Sequence, residues 1–411
     1  TLFTDSGTIT YLTTQTDTLA IGTSTGISAS TALAVYNRDI ELLVGTGSPM
    51  YGVGSIVDGA GGATELGGAS YLAVVGDYAY VSSISDDGFQ IIDISDPTNP
   101  VGLGEITDGA NGATELDGAV GVAVQGNYAY VSSYDDSGFQ IIDISDPTAP
   151  VGLGEITDNS NGANTLGQAW GIYVSGNYAY VTSRSEHGLQ IIDISDPLNP
   201  KGIGAITDGT NGATELNDSV NVVVQGSYAY VAGHGDDGFQ VIDISDPTNP
   251  IGRGEITDGA SGATELAGAE DIIVSGKYAY VTANTDDGVQ ILDISDPDAP
   301  VGLGEITDGA SGATTLSQAI SMDLAGKYLF VSSIFNDGIQ IIDISDPPAP
   351  VGVGSIIDGT NGASVLNGSY GIDIVGEYAY VTANSDSGFQ ILSLPTFTSP
   401  TANIGSLAST N

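Results

Sequence analysis

The chain has 411 residues, and its 51 acidic side chains outnumber its 6 basic ones, which gives a formal net charge of -45. This charge repels phosphate and argues against a nucleic-acid partner, and no apolar run reaches the roughly 18 residues of a membrane-spanning helix. The chain has no cysteine, which excludes disulfide bonds and thiolate metal sites. High salt or bound divalent cations such as Ca²⁺ would relieve the repulsion among the carboxylates.

Residues 1–57 are the least regular part of the sequence. Four short apolar stretches, at residues 8–13, 18–23, 32–36 and 52–56, are predicted to be strands. The sequence starts at Thr1 with neither a methionine nor an apolar leader. We therefore expect a mature exported protein that is extracellular or on the cell surface.

From residue 58 onwards the sequence repeats every fifty residues. The second strand of each copy opens with a tyrosine, at Tyr78, Tyr128, Tyr178, Tyr228, Tyr278, Tyr328 and Tyr378. In the copy that starts near residue 120, strands are predicted at residues 121–125, 128–133, 139–145 and 151–156. Gly126-Asn127 is a two-residue hairpin signal, and Pro147 must end the third strand because proline cannot donate to a β-ladder. Each unit is therefore predicted to be a four-stranded antiparallel meander.

Stacked units of this kind predict an all-β fold, the β-propeller, in which each unit of about 50 residues is one blade. In the second strand, Tyr128 and Tyr130 alternate with Ala129 and Val131, so neither face of the strand is polar. This pattern is typical of a sheet that is covered on both sides. The long connection to the next blade, such as residues 157–168, is predicted to cross from the outer rim to the central axis.

The number of blades depends on residues 52–56. If the stretches in residues 1–57 form a diverged first blade, the propeller has eight blades, which is the count that we favour. The alternative is seven blades, in which residues 52–56 close the ring as the fourth strand of the last blade. We divide the chain into residues 1–57, a diverged first blade or N-terminal assembly segment, residues 58–397, the seven-repeat propeller body, and residues 398–411, a closing or donor strand.

The segment Gly88-Phe-Gln-Ile-Ile-Asp-Ile-Ser-Asp-Pro97 and its copies resemble the LVIVD repeat family, a group of secreted or surface β-propellers of bacteria and archaea. The resemblance covers residues 51–397. It implies a β-propeller fold and export from the cell. It implies no particular reaction, because the family has no single catalytic activity that could be transferred.

Two sets of loop residues are candidate Ca²⁺ ligands, because Ca²⁺ binds oxygen atoms in flexible geometry. The first set lies in the turns between the second and third strands: Asp86, Asp87, Asp236, Asp237, Asp286 and Asp287. The second set lies in the long loops between blades: Asp108, Asn111 and Glu115. Neither set has EF-hand spacing, and ordinary turn geometry is the alternative for both. No cofactor other than Ca²⁺ is expected.

One aspartate recurs on the third strand of the blades, beside apolar residues. Its copies are Asp93, Asp143, Asp193, Asp243, Asp293 and Asp343. Because a buried carboxylate must be paired, we expect each of them to accept structural hydrogen bonds from hydroxyl or backbone N–H groups of a neighbouring strand.

No local motif indicates an enzyme. His187 and His234 stand alone on turns, Trp170 is the single tryptophan, and the nucleophile-elbow and phosphate-loop patterns are missing. An active site joins unlike residues, whereas these blades offer nearly the same surface. We therefore expect no catalytic activity. A cluster of unlike polar residues from different blades, lining the channel, would instead indicate a lyase or hydrolase.

The C-terminal tail resembles a fourth strand. Residues 404–407 are similar to residues 103–106, so Ile404 and Leu407 are predicted to complete the last blade or to add to a neighbouring subunit. An exchange that does not close propagates into a filament. We expect a non-enzymatic extracellular structural protein that self-associates into a filament, sheath or surface layer through its terminal segments. The alternative is a surface adhesin or a propeller that binds a carbohydrate or a protein, with surface glycans as partners.

Overall fold

The computed structural model describes residues 50–395, which contain 28 strands in seven four-stranded antiparallel sheets. Blade 1 consists of β2 (Ala69–Val75), β3 (Tyr78–Ser83), β4 (Gly88–Asp93) and β5 (Val101–Thr107). Blade 2 consists of β6 (Ala119–Gln125), β7 (Tyr128–Ser133), β8 (Gly138–Asp143) and β9 (Val151–Thr157). Blade 3 consists of β10 (Ala169–Ser175), β11 (Tyr178–Ser183), β12 (Gly188–Asp193) and β13 (Lys201–Thr207). Blade 4 consists of β14 (Ser219–Gln225), β15 (Tyr228–Gly233), β16 (Gly238–Asp243) and β17 (Ile251–Thr257). Blade 5 consists of β18 (Ala269–Ser275), β19 (Tyr278–Ala283), β20 (Gly288–Asp293) and β21 (Val301–Thr307). Blade 6 consists of β22 (Ala319–Ala325), β23 (Tyr328–Ser333), β24 (Gly338–Asp343) and β25 (Val351–Ile357). Blade 7 consists of β26 (Ser369–Val375), β27 (Tyr378–Ala383), β28 (Gly388–Ser393) and, as its fourth strand, β1 (Tyr51–Val57).

The predicted meander and the β-propeller fold are confirmed. The first strand of each blade is the inner strand, next to the axis, and the fourth is the outer strand. The one helical segment in residues 50–395 is a 3₁₀ turn at His234–Asp236. Within those residues, no helix is long and apolar enough to cross a membrane.

The ring closes through the strand that the blade count depended on. β1 pairs antiparallel with β28, from Tyr51 opposite Ser393 to Val57 opposite Gly388. Residues 52–56 are therefore the outer strand of blade 7, and the favoured count of eight blades is wrong for residues 50–395, which form seven. The shared-strand alternative is confirmed. The stretches at residues 8–13, 18–23 and 32–36 lie outside the described residues.

The hydrophobic core lies between adjacent blades. Phe89 and Ile91 of blade 1 are fully buried, and they pack in one cluster with Val131 and Ile142 of blade 2. This packing is why both faces of each strand are apolar. The closure between blades 7 and 1 uses the same contacts, since Phe389 lies in one cluster with the core residues of blade 1.

Hydroxyl groups on the second strands tie each blade to the next. Thr182 Oγ1 donates a hydrogen bond to the Val220 carbonyl at 3.1 Å, and Thr282 Oγ1 donates to the Ile320 carbonyl at 2.8 Å. Thr382 makes the same bond to the Ser70 carbonyl across the closure of the ring. Blade 4 carries Ala232 at this position, so it lacks the hydroxyl group.

A buried glutamine on the third strand holds the long loop of each blade. Gln240 is fully buried, and its Oε1 accepts hydrogen bonds from the Thr214 and Glu215 amides at 2.9 and 3.3 Å. Its Nε2 donates to the Gly254 carbonyl of the outer strand at 3.0 Å. The same glutamine occurs in all seven blades, from Gln90 to Gln390.

The recurring third-strand aspartates are structural, although their partner differs from the prediction. Asp93 is half-buried, and its Oδ1 accepts a hydrogen bond from the Ser95 amide at 2.9 Å. The partner therefore lies two residues further along the chain and not on a neighbouring strand. The reason is that the strand ends at Asp93, where the free backbone amides that follow are the nearest donors.

Candidate functional site

The copies differ most where they approach the axis. Each inner strand has an irregular register near its start, and the second residue of that strand is Ser70, Val120, Trp170, Val220, Glu270, Ile320 or Tyr370. The turn after the second strand starts with Ile84, Tyr134, Arg184, His234, Asn284, Ile334 or Asn384. We call the end of the channel that is bounded by these fourteen residues the axial mouth. Side chains that are unlike each other meet there, while the buried glutamines do not vary.

A charged network fills the mouth on blades 3 to 5. Arg184 donates two hydrogen bonds to Asp218, from Nε to Oδ1 at 2.6 Å and from Nη2 to Oδ2 at 2.8 Å. His234 lies between two carboxylates, with Nδ1 3.3 Å from Asp218 Oδ2 and Nε2 3.9 Å from Glu270 Oε2. Asn284 Nδ2 donates to Glu270 Oε2 at 3.1 Å. The five side chains therefore form one continuous polar chain.

The network stabilises charges that burial disfavours. Burial raises the pKa of Asp218, but hydrogen bonds from Arg184 and His234 outweigh it and hold that pKa well below its usual range. The hydrogen bond to Asp218 in turn raises the pKa of His234. Burial raises the pKa of Glu270 to about 7, and the nearby cations His234 and Arg184 oppose this rise. Burial therefore opposes the charge of Glu270 near neutral pH, while the two neighbouring cations favour it.

Aromatic rings pack beside the network. The Arg184 guanidinium lies 4.6 Å from the centre of the Trp170 ring, and Tyr134 contacts the same ring edge-on at 5.6 Å between centroids. Tyr71 and Tyr370 meet edge-on at 5.3 Å. Trp170 Nε1 and the Tyr71 hydroxyl are buried and have no hydrogen-bond partner within residues 50–395.

The mouth is open on blades 6, 7 and 1. A cavity of about 260 Å³ lies there, against the Tyr370 ring. Ile84 and Ile334 form its apolar walls, and Asn384 and Ser385 supply polar groups. One half of the mouth is therefore a fixed charged wall, and the other half is free space with mixed apolar and polar lining.

Sequence reasoning set aside His234 and Trp170 as isolated residues and did not identify Arg184, Asp218 or Glu270. A comparison of the seven copies at each position would have found all five, because each breaks its repeat. His187 lies outside the network, and its Nδ1 accepts a hydrogen bond from the Asp218 amide at 3.0 Å.

The predicted Ca²⁺ ligands in the turns make backbone hydrogen bonds. The first carboxylate of each turn accepts from the loop of its own blade, as Asp236 Oδ2 does from the Asn217 amide at 2.9 Å. Asp86 and Asp286 make the equivalent bonds at 2.5 and 2.8 Å. The second carboxylate accepts from the loop of the next blade, from the Gly118, Gly268 and Gln318 amides for Asp87, Asp237 and Asp287. These contacts fit the turn alternative.

The two predicted sets adjoin at a backbone hydrogen bond, which the Asp108 amide donates to the Asp87 carbonyl at 2.9 Å. Burial and the charges of Asp136, Glu155 and Asp108 raise the pKa of Glu115 to about 7. Asn111 is exposed, and its carbonyl accepts a hydrogen bond from the Gly152 amide. No group of three or more His, Asp or Glu side chains in residues 50–395 is placed to hold a metal ion. Ca²⁺ binding stays a prediction.

In each blade, a glutamate in the long loop and a glutamate on the outer strand are either both present or both absent. Blades 1, 2, 4 and 5 carry a glutamate both in the long loop and on the outer strand: Glu65 with Glu105, Glu115 with Glu155, Glu215 with Glu255, and Glu265 with Glu305. Blades 3, 6 and 7 lack both: Thr165 with Ala205, Thr315 with Ser355, and Val365 with Ser55. Like charges repel, so each pair that is present adds a local demand for cations.

The predicted assembly residues Ile404 and Leu407 lie outside the described residues. The outer edge of blade 7, which the tail was predicted to complete, pairs with β1 instead.

Similar folds occur in proteins of different function. The virginiamycin B lyase of Staphylococcus aureus is 10% identical, with a TM-score of 0.59 over 83% of this chain and 98% of that one. The hydrazine synthase of Kuenenia stuttgartiensis is 16% identical, with a TM-score of 0.59 over 82% and 99% of the two chains. The designed protein Ika8 is 10% identical, with a TM-score of 0.53 over 84% and 100%. At these identities the likeness concerns the fold alone.

The sequence repeats match one family model. No curated protein has a sequence similar to this chain. The LVIVD repeat model matches six segments, at residues 66–108, 118–158, 166–208, 218–258, 268–308 and 318–358. These segments make up more than half of the 411 residues. The predicted resemblance is confirmed, and the chain belongs to the LVIVD repeat family.

Proposed function

We propose that the protein is a binding propeller that recognises its ligand at the axial mouth. One observation carries this proposal: in a chain of near-identical blades, the unlike side chains converge on one end of the axis, beside a cavity of about 260 Å³. Residues that differ from the repeat only for reasons of folding would have no need to lie together at one end of the axis. Concave sites with a mixed apolar and polar lining are where proteins bind small ligands.

The network supports binding more than catalysis. Both ring nitrogens of His234 already face a partner, Asp218 on one side and Glu270 on the other. Asp218 is held by Arg184, so neither residue is free to take a proton from a substrate. The cluster of unlike residues is also the feature that would favour a lyase or hydrolase, so turnover of a bound ligand would contradict the non-enzymatic part of the proposal.

A surface glycan is the ligand class that fits the open half of the mouth. The Tyr370 ring and the two isoleucines can cover the apolar face of a sugar, and Asn384 and Ser385 can bind its hydroxyl groups. A role outside the cell is part of this proposal. The charge of -45 makes anionic glycans poor candidates, so neutral sugars are expected.

A glycan array at high salt tests this proposal with the full chain and three variants. Tyr370→Leu removes the ring that lines the cavity, and Asn384→Ala removes its amide. We expect each to lower affinity at least tenfold, about 1.4 kcal/mol. The control Lys277→Ala changes an exposed residue of a hairpin and should bind like the wild type. Absence of any glycan binding, or equal binding by all variants, would overturn the proposal.

A second candidate function is self-assembly into a filament, sheath or surface layer. It is supported by the first residue of the outer strands, which is apolar and 37–50% exposed in six blades: Tyr51, Val101, Val151, Ile251, Val301 and Val351. Blade 3 has Lys201 there. The rim thus offers similar apolar patches all round, as lateral packing of copies requires.

Electron microscopy in native salt tests the assembly. A variant in which Val101, Val151, Ile251, Val301 and Val351 are replaced by lysine, as in blade 3, should remain monomeric while the wild type assembles. A wild type that is strictly monomeric under these conditions would rule the assembly out.

A further inference from the structure

A second cavity lies on the axis, beyond the aromatic rings of the mouth. It encloses about 240 Å³, and residues in the middle of the seven inner strands line it. Tyr71 lines this cavity and Tyr370 lines the open half of the mouth, and their rings are in edge-on contact. The two tyrosines therefore separate the mouth from this second space, which we call the axial cavity.

The wall of the axial cavity is largely apolar and is acidic on one side. Its apolar lining includes Val122, Ile172 and Val223, beside the polar Asn221 of blade 4. On blades 5 to 7 it carries three carboxyl groups, on Asp271, Asp323 and Asp373. At the position of Asp323 and Asp373, the other blades have Ala73, Ala123, Tyr173, Val223 and Ile273. The carboxyl groups are thus a departure from the repeat, gathered on one side.

Each carboxyl group reaches the inner strand of the next blade. Asp271 Oδ2 accepts from the Met322 amide at 2.9 Å, and Asp323 Oδ2 accepts from the Ile374 amide at 2.6 Å. Asp373 Oδ2 accepts from the Val74 amide at 2.7 Å, across the closure of the ring. These bonds fix the carboxyl groups in place without involving a counter-charge.

The Asp323 and Asp373 carboxyl groups interact with each other, and burial raises the pKa of Asp323. Burial and the Asp323 charge raise the pKa of Asp373 to about 6, and burial raises the pKa of Asp271 to about 6. The charged groups closest to this side are carboxylates, and no lysine or arginine lines the cavity within the described residues. The space therefore lacks positive charge.

Two buried polar groups lie beside the cavity. The Tyr71 hydroxyl and Trp170 Nε1 interact with each other, but neither makes a hydrogen bond of good geometry within residues 50–395. Trp170 is only 8% exposed. A buried polar atom without a partner is costly, and a ligand group can satisfy it.

We propose that the axial cavity binds a small organic ammonium ion that has an apolar body. The ammonium group would donate to Asp323 and Asp373 and reach the Tyr71 hydroxyl, with the Asp271 charge close by, and the apolar body would lie against the valine and isoleucine side chains. The volume of 240 Å³ equals that of about eight water molecules, which suits a ligand such as benzylammonium.

A metal ion fits this cavity less well than an ammonium ion does. The Asp271 oxygens already accept four protein hydrogen bonds, from Asn221, Ile272, Ser321 and Met322, so Asp271 supplies charge and no direct ligand. Asp323 and Asp373 alone cannot supply the six to eight direct oxygen ligands that Ca²⁺ requires. A hydrated cation would also leave the apolar lining unused. An amine uses both parts of the wall, because its N–H groups bind the carboxyl oxygens and its carbon atoms displace water.

Calorimetric titration of the full chain with benzylamine at pH 8 tests the proposal, with benzyl alcohol as the neutral isostere and Ca²⁺ as the competing class. We expect one benzylamine per chain, at least tenfold weaker binding of benzyl alcohol, and no displacement by Ca²⁺. Asp323→Asn keeps an acceptor for the Ile374 amide but removes charge, so it should weaken binding at least tenfold.

Two further variants keep the test decisive. Val223→Phe enlarges a half-buried residue of the cavity lining and should abolish binding with every carboxyl group intact, which holds even if Asp323→Asn fails to fold. The control Asp77→Asn removes an exposed carboxylate from the hairpin after β2 and should bind like the wild type. Equal binding of the amine and the alcohol, displacement by Ca²⁺, or unchanged binding in Val223→Phe would overturn the proposal. The mouth is not involved in any of these outcomes.

Discussion

Replacing Gln240 by methionine should destabilise the propeller far more than an exposed glutamine does. Methionine has a similar shape but removes the acceptor of the Thr214 and Glu215 amides and the donor to the Gly254 carbonyl. Each buried group left without a partner costs about 1–3 kcal/mol. With one of the two loop amides reaching water, two groups remain unpaired, and the free energy of unfolding should fall by about 2–6 kcal/mol.

Calorimetric unfolding measures this effect, with Gln225→Met as a control in the same blade. Gln225 is exposed, and its single hydrogen bond goes to the Gly276 carbonyl. A loss of about 2–6 kcal/mol should lower the unfolding temperature by roughly 4–12 °C, since a chain of this size loses about 2 °C per kcal/mol. The control should stay within about 1 °C. If the two variants unfold at the same temperature, the buried glutamine does not hold the loop as described.

Three other changes have defined outcomes. Ala232→Ser supplies the hydroxyl that blade 4 lacks and should donate to the Glu270 carbonyl, raising the free energy of unfolding by about 0.5–1.5 kcal/mol; an unchanged or lower value in chemical denaturation would contradict this. Burial raises the pKa of Glu65 and Glu265 to about 7 and that of Asp271 to about 6, above the values in the unfolded chain. The protonated carboxyl groups therefore stabilise the fold fully only below the unfolded pKa, and this stability is lost as the pH rises through 6 to 7. The unfolding temperature at constant ionic strength should therefore fall from pH 5 to pH 8, and a rise would refute the assignment. Low salt or a chelator should also lower the unfolding temperature because of the charge of -45, and no change in either would remove the predicted need for cations.

The sequence predicted the blade well because its signals are local. Hairpin turns such as Gly126-Asn127 and strand-ending prolines such as Pro147 act within a few residues, so the strand boundaries follow from them. The blade count was wrong because residues 52–56 read equally well as the outer strand of a first blade or of the last one. Which third strand they pair with is decided by ring closure, more than 300 residues away, and not by their own sequence.

Most of the candidate site could not be predicted from the sequence, because its residues are distant in the sequence and meet only in the folded ring. His234 and Trp170 appeared isolated because they are 64 residues apart, yet ring closure places both at the axial mouth. Arg184 and Glu270 occupy positions whose residue differs from blade to blade, and no local motif marks them. The third-strand aspartates were correctly predicted to be structural, but the partner was the amide two residues on, as at Asp93 and Ser95.

The central claim is that the repeat-breaking residues of the axial mouth form the ligand site. A crystal structure of the full chain with its strongest-binding glycan tests this most directly. The account predicts a sugar ring against Tyr370, between Ile84 and Ile334, with hydroxyl groups bound by Asn384 and Ser385. A glycan bound on the outer rim or at the hairpins of the opposite face, with the mouth unoccupied, would contradict it.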